Sequence, residues 1–136
     1  MRSISRGGGV FVPGVIAAHT DGAVVTGLSF DAAPLSTGSV SLDRDNPRDH
    51  LIIRYTDDRT TVADLPYSVR WTLGDGDGLL EPGELAEITV DTTGISPRIV
   101  AGTRFELDLI AGGGSVVSVE RTMAPGRPLN PLVRLQ

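Results

Sequence analysis

The segment Thr103–Ala111, TRFELDLIA, carries the clearest two-residue alternation of apolar and polar side chains in the chain. In an extended segment successive side chains point to opposite faces. Glu106 and Asp108 therefore share one face, and the other face holds Phe105, Leu107 and Leu109. The alternation predicts a half-buried β-strand, with the apolar side chains in a core and the two acidic side chains in solvent.

Segments of the same character lie on both sides of this strand and are separated by turn residues. Asp21-Gly22 predicts a hairpin turn, and Pro13 predicts a bulge or an edge position because proline cannot donate to a ladder. In YSVRWTL the alternation predicts that Trp71 packs in the core together with Val69 and Leu73. The predicted strands lie in residues 10–18, 23–33, 40–42, 51–58, 67–73, 85–91, 115–123 and 131–136.

The fold class follows from these short strands and from the scarcity of helical patterns. No window of 12 residues holds a helical apolar stripe, while 17 Gly and 9 Pro favour many turns. We therefore expect an all-β protein, an immunoglobulin-like antiparallel β-sandwich of about seven to nine strands. Residues 10–136 are predicted to form this single sandwich domain, and residues 1–9, MRSISRGGG, a flexible lead-in.

Composition excludes several classes of function. The chain has no cysteine, which rules out disulfides, thiolate metal sites and cysteine nucleophiles. Its 12 basic residues are all Arg and are scattered, and the net charge is −5, so a nucleic-acid groove is not expected. The apolar runs are far shorter than the roughly 20 residues that span a bilayer. His19 and His50 lie at polar turns and are expected to face solvent rather than act as general bases.

The negative charge is concentrated in one turn, within GDGDGLLEPGE at residues 74–84. Asp75, Asp77 and Leu79 stand at alternate positions, as the first three ligands of many calcium loops do, the third through its backbone carbonyl. The Glu81–Glu84 segment, EPGE, predicts a type II turn that folds Glu84 back toward Asp75. The four residues Asp75, Asp77, Leu79 and Glu84 are therefore candidate metal ligands. With no His or Cys nearby, Ca²⁺ is the expected ion.

A simpler interpretation of the same segment is a solvated acidic hairpin loop, because Asp-Gly and Pro-Gly are common turn residues. The spacing also differs from an EF-hand, whose bidentate Glu stands at position 12 of the loop. Glu84 falls two positions earlier when counted from Asp75. A phosphate-binding loop is disfavoured, since no helix follows the glycines and the aspartates would repel phosphate.

The order and content of these segments resemble archaellin, the archaeal flagellin, in its outer globular domain. The similarity runs through nearly all of residues 10–136. It is carried by VIAAHTDGAVVTGLSF (15–30), LIIRYTDD (51–58), YSVRWTLGDGDGLLEPGELAEITVD (67–91) and TRFELDLIAGGGSVVSVERTMAP (103–125).

The resemblance implies a β-sandwich that faces outward from a motility filament outside the cell and contacts other copies of the same or related subunits. It also favours a metal site at Asp75, Asp77 and Glu84, which Asp57 and Asp58 could complete. The apolar N-terminal helix of the family is missing from this sequence, so this chain is not expected to polymerise by itself. Both Asn residues precede Pro, so any sugar is expected to be O-linked.

Two other functions remain as alternatives at this point. One is a stator-like module that anchors the archaellum motor in the cell envelope, and the other is a cell-surface adhesion module. Both share the sandwich form. Catalysis is not expected, because no nucleophile elbow occurs and the paired carboxylates are explained by metal or solvent.

Overall fold

The structure is a computed structural model that describes residues 10–34, 40–42, 50–74, 78–111, 116–123, 125 and 131–135. Within these ranges it contains strands and no helix. The strands are β1 (Val10–Phe11), β2 (Ile16–Thr20), β3 (Val25–Pro34), β4 (Val40–Ser41), β5 (Ile52–Asp57), β6 (Thr61–Val62), β7 (Tyr67–Leu73), β8 (Leu79–Leu80), β9 (Leu85–Asp91), β10 (Arg104–Ile110), β11 (Val116–Thr122) and β12 (Leu132–Leu135).

The strands form two main antiparallel sheets and one small one. The six-stranded sheet has the order β12-β2-β3-β9-β7, with β1 also paired to β3. The four-stranded sheet has the order β11-β10-β5-β6, and β4 pairs with β8 in a separate two-stranded ladder. The expected all-β sandwich is confirmed. Eight of the described strands are four residues or longer, which agrees with the strand number predicted from the sequence.

A continuous apolar core lies between the two main sheets. β10 contributes three side chains of at most 1% exposure, and they are Phe105, Leu107 and Leu109, as the alternation predicts. The Phe105 ring stacks on Tyr55 of β5 with 5.8 Å between the ring centroids. From the six-stranded sheet the core receives, among others, Ile16, Leu28, Phe30, Ile88 and Val90. Burial of such side chains stabilises a fold by roughly 1.5–3 kcal/mol each relative to solvent exposure.

The predicted hairpins and edges are present. β2 and β3 are joined by a turn at Asp21-Gly22, where Gly22 has φ of 101° and Asp21 Oδ1 accepts hydrogen bonds from two following backbone N–H groups. Pro13 interrupts the pairing along β3, so that the predicted first strand is divided into β1 and β2. β12 is an edge strand of the six-stranded sheet, as expected for the chain's last segment.

The prediction that Leu73 packs in the core is wrong. Leu73 is 61% exposed, although Trp71 is half-buried against the core as expected. The pairing of β7 with β9 shifts register between Trp71 and Leu73, which is a β-bulge. One extra residue reverses the direction of every later side chain, so Leu73 lies on the outer face of the sheet.

Because the described residues form no helix, none of them forms a helix that could span a membrane.

Candidate functional site

The acidic turn is described only at its two ends. Asp75 and Asp77 lie outside the described residues, whereas Leu79 and Glu84 lie within them. Leu79 begins β8 and pairs with Ser41 of β4. Among the described residues, no group of three or more His, Cys, Asp or Glu side chains is arranged to hold a metal ion. The four-ligand site therefore stays a prediction.

The turn that returns the chain to β9 has the predicted type II character. Gly83 has φ of 87°, the conformation that this turn requires at its third residue. The Glu84 N–H donates to the Glu81 carbonyl oxygen at 2.9 Å, and the Glu81 N–H donates to Glu84 Oε1 at 2.9 Å. These two reciprocal bonds fix both the backbone turn and the direction of the Glu84 carboxylate.

The Glu84 carboxylate is folded back onto the start of the acidic turn. A Cβ placed on Gly74 would lie 3.2 Å from Glu84 Cδ and Oε2, and equally close to Cε3 of Trp71. A side chain at position 74 would therefore be crowded by the carboxylate and the indole ring, which both approach the backbone here. Oε1 is engaged by the Glu81 N–H, and Oε2 lies beside Gly74, the residue that directly precedes Asp75.

The interpretation that Asp57 and Asp58 complete a cage with Glu84 is wrong. Arg59, which follows them, donates from Nη2 to the Arg98 carbonyl oxygen at 3.4 Å, and Ile99 accepts a bond from the Val25 N–H at 2.8 Å. Val25 begins β3, beside the end of β9. Glu84, in contrast, precedes the first residue of β9. The seven residues of β9 span about 20 Å, so the two acidic groups lie at opposite ends of the sandwich.

Asp57 instead stabilises the hairpin between β5 and β6. Its Oδ1 accepts the backbone N–H groups of Arg59 and Thr60 at 2.8 and 2.9 Å, and its Oδ2 accepts the Tyr55 hydroxyl at 2.5 Å. Burial opposes ionisation of Asp57, but these hydrogen bonds outweigh it and lower the pKa of the carboxyl. Burial and the same bond to Asp57 raise the pKa of Tyr55.

A groove of about 670 Å³ lies beside this hairpin and is lined by charged groups of both signs. Arg104 Nη2 and Glu120 Oε1, both in its lining, form an ion pair at 2.8 Å. The described lining residues are Thr56, Asp57, Asp58, Arg59, Val100, Ala101, Gly102, Thr103, Arg104, Phe105, Glu106 and Glu120. Its lining holds four carboxylates and two guanidinium groups, so the groove carries a formal net charge of −2 and does not favour an anionic ligand.

A buried charge on the outer face of the four-stranded sheet was not expected from the sequence. Asp108 is 4% exposed because Arg54 and Ser118, from the two neighbouring strands, cover it. Arg54 donates from Nε and Nη2 to Oδ2 at 2.9 and 2.7 Å, and the Ser118 hydroxyl donates to Oδ1 at 2.7 Å. Burial opposes ionisation here too, yet these bonds lower the pKa of Asp108.

His19 makes a contact between two neighbouring strands of the six-stranded sheet. His19 is exposed on β2, and its Nε2 lies 2.9 Å from the Ser29 hydroxyl on β3. Ser29 pairs with Ala17 and lies on the outer face of the six-stranded sheet. This contact is therefore a cross-strand hydrogen bond of the kind that stabilises sheets.

Comparison with known proteins gives similarity in structure alone. No protein-family model and no curated protein sequence matches the chain. Archaeal flagellin FlaB1 from Methanocaldococcus jannaschii matches with a TM-score of 0.72 and 13% identity, over 95% of this chain and 97% of that chain. The archaeal flagellum of Methanospirillum hungatei matches with a TM-score of 0.65 and 18% identity, over 90% of this chain and 69% of that chain.

A third similar structure is a stator protein rather than a flagellin. The archaellum periplasmic stator protein FlaG from Sulfolobus acidocaldarius matches with a TM-score of 0.55 and 10% identity, over 82% of this chain and 96% of that chain. The flagellin similarity covers more of this chain at a higher TM-score. The chain therefore has an archaellin-like fold.

Proposed function

We propose that this chain is the outer β-sandwich domain of an archaellum filament subunit, and that its function is mechanical rather than enzymatic. The observation that carries the proposal is the agreement in fold with archaeal flagellin along almost the full length of both chains. In this role the domain works outside the cell, faces solvent and contacts other filament subunits.

The architecture suits a load-bearing role. The two main sheets are held by long antiparallel ladders, with seven paired positions between β10 and β11 and six between β3 and β9. A sandwich of this kind resists deformation because each sheet is cross-linked by hydrogen bonds and both share one close-packed core.

The alternative function is a stator-like module at the base of the archaellum, and the similarity to FlaG favours it as the second candidate. The two functions differ in where the protein is found. A filament subunit occurs along the whole length of the filament, whereas a stator module occurs only at the cell envelope. An adhesion module would be distributed over the cell surface.

Immunogold labelling of filaments sheared from the native cells tests these alternatives. Antibodies raised against this chain are expected to label the sheared filaments along their length, and mass spectrometry of the same filaments is expected to detect its peptides. Labelling confined to the envelope would contradict the filament role and support the stator role. The matched control is pre-adsorption of the antibodies with the purified chain.

Within this function, a Ca²⁺ ion bound by the acidic turn is our second proposal for the domain. It is supported by the hard oxygen donors of the segment and by the position of the Glu84 carboxylate beside Gly74. Asp75, Asp77, Glu84 and the Leu79 carbonyl would hold the ion, which would neutralise repulsion among the carboxylates and tie the turn to the sandwich. Ca²⁺ at a hundredfold excess over Kd would add about 2.7 kcal/mol to stability.

Thermal unfolding with Ca²⁺ and with a chelator tests this proposal. We expect Tm to rise with Ca²⁺, to fall with chelator, and to stop responding in the double variant Asp75→Ala, Asp77→Ala. Asp58→Ala is the matched control, because its side chain is 90% exposed at the opposite end of the sandwich. A melting curve of the native chain that is unchanged by Ca²⁺ and chelator would contradict the metal site and leave the filament role intact.

A further inference from the structure

The strand β11 forms an open edge of the four-stranded sheet. It pairs with β10 through seven consecutive positions without a register shift, and no described strand pairs with its other side. An unpaired edge of this length presents a row of backbone N–H and C=O groups, which another chain can extend into a larger sheet. Proteins normally close such an edge by some feature of the strand itself.

The other described edge strands of the two main sheets have features that are common at closed edges. β1 and β6 have two residues each and β12 has four, which leaves little backbone for another chain to pair with. β7 has a bulge between Trp71 and Leu73 that interrupts its regular ladder. In contrast, β11 has seven residues, three of them valine, and contains neither a bulge nor a proline. A charged side chain is the closing feature that this strand does have.

The backbone hydrogen bonds indicate which groups of β11 point to the open side. Met123, directly after β11, donates its N–H to the Thr103 carbonyl oxygen at 2.8 Å, and it continues the register of the β10–β11 pair. Alternate residues of an antiparallel ladder exchange hydrogen bonds with their partner, so the odd-numbered residues of β11 bond to β10. The N–H and C=O groups of the even-numbered residues, Ser118 and Glu120 among them, therefore point to the open side.

A guanidinium group occupies one of these outward carbonyl groups. Arg121 Nη1 donates to the Glu120 carbonyl oxygen at 2.8 Å. The side chain of Arg121 starts from the inner face of the sheet, because Arg121 pairs with Phe105, whose ring lies in the core. Arg121 Nε is buried and has no hydrogen-bond partner within the part of the chain that the structure describes. The side chain thus extends from the margin of the core to the open side of the strand.

Core packing does not explain a charged residue at this position. Val117 and Val119 precede Arg121 on the same face, opposite Leu109 and Leu107, so an apolar side chain would continue the pattern. A buried donor without a partner costs free energy, and its presence in a fold calls for an explanation. An inward-pointing charge on an edge strand is one of the ways in which proteins prevent strand addition. An added strand would bury the guanidinium and separate it from water.

We propose that Arg121 closes the β11 edge and prevents another chain from extending the four-stranded sheet. Its guanidinium holds the Glu120 carbonyl oxygen, to which an N–H group of an added strand would have to donate. The added strand would also cover the guanidinium itself. The inference goes beyond the proposed filament function and does not rest on it. It states that copies of this domain do not associate by pairing their β11 edges.

Substitution of Arg121 tests the proposal by removing the guanidinium. Arg121→Val continues the row of Val117 and Val119, Arg121→Thr places a polar β-branched side chain there, and Arg121→Lys keeps a positive charge that can donate to the same carbonyl oxygen. Arg104→Val is the matched control, because β10 is paired on both sides and has no open edge. Arg121→Val and Arg104→Val each remove one positive charge, so a difference between them does not come from net charge. Sedimentation velocity over a range of concentrations measures association, and NMR measures amide hydrogen exchange.

We expect Arg121→Val and Arg121→Thr to shift from monomer to dimer or larger species as concentration rises. At the same concentrations the native chain, Arg121→Lys and Arg104→Val should not shift. In the associated species the outward amides of Ser118 and Glu120 should exchange more slowly than in the native chain, because an added strand would accept their hydrogens. Folded Arg121 variants that associate no more than Arg104→Val would overturn the proposal, and so would association that leaves these two amides unprotected.

A purely structural role of Arg121 gives a different result in urea unfolding. At dilute protein concentration Arg121→Val should be at least as stable as the native chain, because the lost hydrogen bond is exposed and the buried Nε without a described partner is removed. If the Val and Thr variants do not fold, or are less stable and remain monomeric, Arg121 supports the fold rather than closing the edge. That result would overturn the proposal and leave the filament function intact.

Discussion

Replacement of Asp108 by Asn removes one buried charge while keeping the shape of the side chain. In Asp108→Asn the carbonyl oxygen can still accept the bonds from Arg54, and the amide can donate to the Ser118 hydroxyl. What is lost is the charge assistance of bonds that measure 2.9, 2.7 and 2.7 Å. Hydrogen bonds to charged groups contribute about 1.5–3 kcal/mol, against about 0.5–1.5 kcal/mol for neutral ones.

From these values we expect the free energy of unfolding to fall by about 2 kcal/mol. The loss is smaller than the 3–5 kcal/mol typical of a fully buried pair, because the 44% exposed Arg54 side chain can be solvated when its partner loses charge. For a domain of this size the corresponding fall in Tm is about 6 °C. The matched control is Glu120→Gln, whose solvent-exposed pair with Arg104 should contribute little to stability.

Urea unfolding at neutral pH, repeated in acid, measures this effect. The pKa of Asp108 is lowered in the folded state, so its contribution is present above the unfolded value of about 3.9 and is lost as pH falls through the folded pKa. The difference between the native chain and Asp108→Asn should therefore shrink in acid. A variant as stable as the native chain at neutral pH, or a difference independent of pH, would refute this account of the buried charge.

Three further predictions concern neighbouring features of the fold. Glu106→Gln should raise Tm at pH 7 and leave it unchanged below about pH 4. The reason is that the hydrogen bond with the Asp108 carboxylate, and the charge of that carboxylate, raise the pKa of Glu106 in the folded state. Gly83→Ala should destabilise the protein by about 1 kcal/mol, because the φ angle of Gly83 is 87°. Its control, Gly94→Ala, should be neutral or slightly stabilising, because Gly94 has open space around it and no positive φ. Equal chemical denaturation midpoints of the two variants would contradict this prediction. Ile88→Ala should lower the free energy of unfolding by about 3 kcal/mol without changing the urea m-value, because Ile88 is fully buried. Its control, Thr89→Ala at an exposed position, should lower it by less than about 0.5 kcal/mol.

Much of the fold could be predicted from local patterns, because strand alternation and turn type depend on residues that are close together in the sequence. Phe105 and its two apolar neighbours on the strand are buried as the alternation requires. Gly83 adopts the positive φ that Pro-Gly predicts. Leu73 was predicted in the core and lies outside, because nothing in the residues around the bulge marks the extra position in the ladder.

The candidate site depends on the order of strands, which alternation does not reveal. Asp57 and Glu84 both lie in turn-rich acidic segments of the sequence, yet the sheet topology places them at opposite ends of the sandwich. Asp108 was expected in solvent because its position on β10 faces outward. Only the pairing with both neighbouring strands brings Arg54 and Ser118 over the carboxylate. Period-two patterns report the face of a residue, whereas cross-strand neighbours decide whether that face is covered.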